Sequence, residues 1–344
     1  MDGEITIVLA NRDTLQGICG ANDGNLKIIE NSLGGRIVAK GNEIRLEGAS
    51  EAAVRCFKAI IDSLIAVIND GEDPSPDHVV ALTKSLFSAE MAAGAVAAPA
   101  GAESPAQQDD ESSPGLKAVG DSLREAAIQI PQGFKRVYPR SANQAAYIRG
   151  MREDNICFCI GPAGTGKTYL AIAEALRLVL SKKMRKLVLT RPVVEAGESL
   201  GFLPGDLSQK ISPYLRPLYD AMESLIPYET IHKMEESRAI EIAPLAYMRG
   251  RSLNDCMVIL DEAQNTTKEQ MKMFLTRIGI GTKALITGDV TQVDLPRKNE
   301  SGLLHAIEIL RKVEGVYFSF LHTDDVVRNP LIKKIIQAYH ENGY

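Results

Sequence analysis

The chain is predicted to be an α/β protein, a parallel sheet covered by helices on both faces and preceded by a small α+β domain. Three observations predict it. Six apolar runs, Ile156–Ile160, Lys186–Thr190, Ala239–Ile242, Cys256–Leu260, Lys283–Thr287 and Val316–Leu321, alternate with helical stretches, the pattern of strands buried on both sides. Between the first run and the helical pattern Tyr169–Leu176 stands Gly161-Pro162-Ala163-Gly164-Thr165-Gly166-Lys167-Thr168. That is strand, glycine-rich loop and helix, in the order a nucleoside-triphosphate site requires. The first 70 residues follow a different rhythm of short strands and helices.

In that first segment Glu4–Leu9 reads as a strand, Arg12–Cys19 and Gly24–Leu33 as helices, Arg36–Ala39 and Glu43–Leu46 as a hairpin, and Ser50–Ile68 as an amphipathic helix with Ser50 as N-cap. The order resembles the KH nucleic-acid-binding module, with Leu26, Ile29, Leu33 and Ile37 on its apolar spacing. The GxxG loop that clamps nucleic acid in that module aligns with Gly20-Ala-Asn-Asp23, where a carboxylate replaces the second glycine and repels phosphate. The shifted frame Gly17-Ile-Cys-Gly20 restores the glycines and breaks the apolar register. RNA binding and a protein-contact or assembly role both remain open for residues 1–70. Residues 71–127 are expected to hold a weak helix, about Asp77–Ala92, and an Ala/Gly/Pro/Ser and acidic linker over Ala93–Gly115. Residues 128–344 then form the nucleotide domain.

Composition sets outer limits. Hydrophobic residues make up 45% of 344 and charged residues 24%, a globular balance. The net charge of −5 argues against a generally basic nucleic-acid binder. An acidic start, Met1-Asp-Gly-Glu4, and no long apolar stretch give no expectation of a secretory signal or membrane span, so a cytoplasmic location is expected. Five cysteines without a CxxC pair predict neither a disulfide framework nor a zinc site.

The loop's chemistry follows from its residues. Gly161, Gly164 and Gly166 are expected to take positive φ and turn N–H groups toward one point, with the positive helix end beginning near Lys167 behind them. Lys167 would reach the β- and γ-phosphates, and the Thr168 hydroxyl would ligate Mg²⁺. Downstream, Cys256–Leu260 ends in Asp261-Glu262. Asp261, at the carboxyl end of a strand, is expected beside Thr168 as a second Mg²⁺ holder, and Glu262 as the general base that activates the attacking water. A plainer alternative is that the acidic pair caps a helix starting at Thr267. Gly288-Asp289-Val-Thr-Gln292 follows the next strand, and Gln292 is the candidate γ-phosphate sensor; a simple turn at Gly288-Asp289 is the alternative.

In this order and spacing the three motifs resemble the core of superfamily-1 helicases. The finer resemblance is to the PhoH family of ATPases, through Gly161–Ala171, Leu189–Asp206, Pro213–Asp220, Ile242–Arg251, Ile259–Thr267 and Gln270–Arg277, and spans about residues 135 to 344. It implies a RecA-like P-loop NTPase core that binds and hydrolyses ATP with Mg²⁺. It also makes Gln144, with Asn143 and Tyr147, an adenine-recognising element, which suits an amide able to donate to N7 and accept from N6. In Asp325–Pro330, Asn329 departs from the family's usual His.

Helicases of that superfamily hold ATP between two such cores, and this chain has room for one. An arginine finger is worth about 10³–10⁵ in rate, so the resemblance implies a homo-oligomer, a ring with the hexamer among its sizes, in which a neighbour supplies the arginine in trans. Arg328 is the first candidate, followed by Arg277, Arg249 and Arg251. The segment Thr190–Asp206 corresponds to a helicase motif that touches single strands, and Arg191, Lys210 and Arg216 are candidate phosphate contacts. The leading expectation is an ATPase that remodels or unwinds RNA, with single-stranded RNA and a nuclease as partners. The alternative is a nucleotide-regulated protein-assembly module without a nucleic-acid substrate.

Overall fold

The computed structural model describes residues 3–96, 114–192, 207–297 and 300–326. The chain divides into two compact units, residues 1–127 with 138–145, and residues 128–137 with 146–344.

The first unit runs β1 (Gly3–Val8), α1 (Arg12–Cys19), α2 (Gly24–Leu33), β2 (Arg36–Lys40), β3 (Glu43–Ala49) and α3 (Glu51–Asn69). Its antiparallel sheet has the order β1-β3-β2. Ile44 and Leu46 alternate inward on β3 and meet Ile18, Ile29, Phe57 and Ile60, all fully buried, so the helices seal one sheet face. Ser50 caps α3, its Oγ accepting the Ala53 N–H at 3.2 Å. The unit continues past residue 70, because α4 (Pro76–Val96) and α5 (Pro114–Glu125) pack on α3 through buried Leu82, Leu86, Leu116 and Leu123. Most of the segment read as a linker, residues 97–113, lies outside the described residues.

The second unit begins with a short hairpin, β4 (Ile128–Gln129) and β5 (Arg136–Val137), and α6 (Ala142–Glu153) leads into it. Then come β6 (Ile156–Ile160), α7 (Lys167–Leu180), β7 (Lys186–Arg191), α8 (Leu207–Glu223), α9 (Tyr228–Glu236), β8 (Ile240–Pro244), β9 (Cys256–Leu260), α10 (Lys268–Leu275), β10 (Lys283–Gly288), α11 (Gly302–Leu310) and β11 (Val316–Phe320). The last six strands form one parallel sheet in the order β11-β6-β10-β9-β7-β8. All six expected strands are present.

The apolar runs are continuous because both faces are covered. Phe158, Val258, Leu260, Ala284 and Ile286 pack with Met271 of α10, Phe274 of α10 and Leu303 of α11. Their neighbours Cys157, Cys159, Met257, Ile259 and Leu285 are equally buried and point to the opposite face, on which α7 lies. Lys283, first residue of β10, donates through Nζ to the carbonyls of Met151, Arg152 and Asp154. It thereby satisfies the unpaired carboxyl end of the helix that feeds β6.

This order positions the site. From β6 the chain travels past β10 and β9 to β7, whereas from β10 it returns across β6 to β11. Connections leaving two adjacent strands in opposite directions open a crevice at their carboxyl ends, where α/β sheets collect ligands. The arrangement is that of a RecA-like P-loop core.

Candidate functional site

The glycine-rich loop leaves β6 at that crevice. Gly164 and Gly166 take φ of 80° and 83°, a region open to glycine at no steric cost. Gly161 has a different reason to be glycine: its φ is not positive, and a Cβ there would stand 2.6 Å from the carbonyl oxygen of Leu321. The expectation of positive φ is corrected at this one position to a close approach of two backbones. Helix α7 begins at Lys167, with Gly166 as a left-handed cap that offers no side chain. The first-turn N–H groups are thus left facing the loop.

Lys167 is only 9% exposed, and its Nζ donates to the carbonyls of Gly161 at 2.6 Å and Pro162 at 2.8 Å. Burial lowers its pKa from the ordinary lysine value, while neighbouring Asp289, Glu262 and Asp261 act in the opposite sense. Thr165, fully buried, donates its hydroxyl to Pro162 O at 2.8 Å and tightens the turn. Pro162 and Ala163 form its near side, and the Ala163 N–H donates to Asp289.

The Thr168 hydroxyl donates to Asp261 Oδ1 at 2.6 Å, and Thr287 donates to the same oxygen at 2.7 Å. Strand β10 lies between β6 and β9, so the carboxylate reaches across one strand to the loop, with Thr287 of that strand supporting it from below. Asp261 and Glu262 do not cap the next helix: Thr267 does, in a capping box with Gln270. The acidic pair is thereby left to the crevice.

Glu262 has φ 53° and ψ 39°, a left-handed conformation that is uncommon for a side chain of this size. Its Oε1 accepts from Arg191 Nη2 at 2.8 Å and its Oε2 from Gln264 Nε2 at 2.5 Å. Gln264 in turn accepts the Asp289 N–H at 3.0 Å. Asn265 and Asp294 exchange two further bonds, at 3.0 and 2.8 Å, so the segment after β9 is laced to the segment after β10. Gln292 donates to Asp289 Oδ2 at 3.0 Å.

Lys167, Thr168, Arg191, Asp261, Glu262 and Gln292 line one cavity of about 310 Å³. Gly164, Gly166 and Asp289 share it, and α8 closes one side with Pro217 and Ala221. Loop, acidic strand end and GDxxQ turn therefore converge as the sequence argument required.

Other expected residues lie elsewhere. Gln144 is buried in the first unit, with Oε1 accepting the Arg140 backbone N–H. Tyr147 is fully buried, and burial pushes its hydroxyl pKa well up, with the Cys159 and Cys157 thiols beside it adding to the effect. Arg328 and Asn329 lie outside the described residues. Arg251 is bound in a two-pronged pair to Glu241, and Arg277 points to the Arg251 carbonyl at 3.5 Å; Arg249 is exposed. Arg216 pairs with Asp220 and Glu223 on its own helix. Sequence reasoning missed Gln264, Asn265, Thr287 and Asp294; Arg191, expected as a phosphate contact, lines the cavity and pairs with Glu262. The available signal was position: each lies within a few residues of a strand's carboxyl end on one side of the sheet.

Among the described residues no helix is long and apolar enough to cross a membrane. Residues 136–340 match the family described as PhoH-like protein. The chain is 43% identical over 327 residues to a PhoH-like protein of Mycobacterium tuberculosis (strain H37Rv), covering 95% of this chain and 85% of that one. It is 41% identical over 335 residues to a PhoH-like protein of Bacillus subtilis (strain 168), covering 97% of each. Among solved structures the Pif1 helicase from Candida albicans matches with a TM-score of 0.33 and 16% identity, over 58% of this chain and 43% of that one.

Proposed function

The chain belongs to the PhoH family, and from that premise we propose that it is a Mg²⁺-dependent ATPase, working as a homo-oligomeric ring and coupling hydrolysis to the remodelling of single-stranded RNA. The observation that carries the ATPase reading is the 2.6 Å bond between Thr168 and Asp261. It joins the hydroxyl that follows the loop lysine to the carboxylate of the acidic strand, a pair of hard oxygen donors suited to Mg²⁺ beside a phosphate.

The residues divide the work. The loop N–H groups and the α7 amino end bind the phosphates, and the buried Lys167 exchanges its two carbonyl partners for phosphate oxygens. Thr168 and Asp261 would hold Mg²⁺, which would supply positive charge against the charge that develops on the phosphates. Glu262 accepts the proton of the attacking water, and Gln292, on the rim of the same cavity, orients on the terminal phosphate. An arginine from a neighbouring copy, Arg328 first among the candidates, completes the charge. The first unit serves as a KH-like module, and the exposed Asp23 in its α1–α2 turn favours docking of protein over phosphate.

The test is product analysis with purified protein. ADP and free phosphate should appear from ATP with Mg²⁺, stop on chelation, and be absent from Lys167→Ala. Single-stranded RNA should stimulate turnover, with a steep loss as salt rises. If RNA of any sequence changes neither rate nor mobility, the RNA part is wrong and the nucleotide-regulated assembly module takes its place.

A further inference from the structure

We propose that Arg191 is a positioning residue for Glu262, holding its carboxylate from one side while Gln264 holds the other, and anchoring it to α8. The inference rests on the reading of Glu262 as the general base. A glutamate on a loop has three free torsions, and fixing such a side chain costs rotamer entropy. Something must hold it before water can be aligned on it.

The sheet register supplies the holder. Thr190 pairs with Leu260, and the Asp261 N–H donates to the Thr190 carbonyl at 2.9 Å. The last residue of β7, Arg191, is therefore level with the acidic pair at the end of β9. One terminal nitrogen, Nη2, reaches Glu262 Oε1 at 2.8 Å, and the other, Nη1, donates to the Tyr214 carbonyl at 3.1 Å. Both terminal nitrogens are engaged within the chain. The pair is shielded, with side chains 19% and 35% exposed.

Helix α8 receives the second of these bonds. It carries Pro213 and Pro217 within it. Pro217 has no N–H for the Pro213 carbonyl four residues earlier. Tyr214, the residue after Pro213, offers its carbonyl to Arg191. Only a planar fork with separate donors serves both ends, so lysine is not equivalent here. Since Pro217 and Ala221 of α8 also wall the cavity, the helix that borders the phosphates fixes the base as well.

The test compares Arg191→Ala, Arg191→Lys, Glu262→Gln and the double variant in the full chain, reading ATP affinity and kcat separately. Arg191→Ala should lower kcat about 10²-fold, the scale set by a misplaced catalytic group, and leave ATP affinity within about twofold. Arg191→Lys should recover part of the loss, and the double variant should be no slower than Glu262→Gln. Parental kcat in Arg191→Ala overturns the proposal, as does a loss confined to ATP affinity. So does a loss confined to the RNA-stimulated rate, which would make Arg191 a nucleic-acid contact. Parental turnover in Glu262→Gln would instead remove the base itself, so the two failures are told apart.

Discussion

The carboxylate of Asp289 accepts the backbone N–H of Ala163 at 3.1 Å, tying the turn after β10 to the phosphate loop that leaves its neighbour β6. The same oxygen accepts from Gln292, and the other accepts both the N–H and the hydroxyl of Thr291. One side chain, 4% exposed, thus holds loop and candidate sensor in a single frame.

Asp289→Ala should therefore act on both stability and rate. It removes the shared acceptor of Ala163, Thr291 and Gln292, donors that are half-buried or exposed, so the loss is that of net hydrogen bonds, about 0.5–1.5 kcal/mol each at most. Urea denaturation without nucleotide should show that loss, and turnover should fall as Gln292 is released.

Lys167→Met should separate function from stability. Burial lowers the pKa of this lysine, so between its folded value and the ordinary 10.5 the unfolded chain binds more protons than the native one. Stability contributed here rises with pH across that window, because the charged form is the one burial penalises. Methionine removes the titrating group, so the nucleotide-free variant should lose the upward slope, whatever the loss of the bonds to the Gly161 and Pro162 carbonyls does to its melting temperature. Nucleotide at about 100 times its Kd should stabilise the parent by about 2.7 kcal/mol and the variant not at all, as read by thermal melts.

Glu241 should give an acid-sensitive contribution away from the site. Arg251 binds it through two nitrogens and Lys186 adds a third contact, holding its pKa at about 2 against the ordinary 4.5. Because the folded value is depressed, the stabilisation is complete above 4.5 and is lost as pH falls through about 2. At 1.36 kcal/mol per unit the ceiling is about 3 kcal/mol, and with the carboxylate 28% exposed screening reduces it to about 1–2 kcal/mol. Glu241→Gln should lose that amount at neutral pH and show a flatter acid limb in pH-dependent denaturation.

Gly161→Ala should destabilise the protein without any ligand present. The added methyl meets the Leu321 carbonyl oxygen at 2.6 Å, which is backbone and cannot rotate away. Overpacking of this kind costs about 1–3 kcal/mol, measurable by denaturation of the nucleotide-free chain.

The six strands were legible because a strand covered on both faces needs apolar residues at every position, and runs such as Cys256–Leu260 stand out from their polar flanks. The loop was legible because its spacing is set by local backbone geometry. The order of the strands was not, since nothing in Ile160 or Gly288 alone says that they pair. Nor were the roles of Gln264 and Asn265, whose partners Asp289 and Asp294 lie 25 and 29 residues away. The β4–β5 hairpin escaped notice because two-residue strands are too short to show a period. Gly161 was recognised for the wrong reason: a sequence displays a missing side chain, while its neighbour Leu321 is supplied by the fold.

The left-handed backbone at Glu262 makes that position a conflict between two selective pressures. Glycine would occupy φ 53° freely, whereas a larger residue held there stores about 1–3 kcal/mol of strain. A laboratory population selected for thermal stability alone should drift toward Glu262→Gly together with a change at Arg191, whose guanidinium would otherwise lose its carboxylate partner. One selected for ATP turnover should hold the glutamate against that drift, so sequencing position 262 after each regime would reveal which demand the natural residue answers.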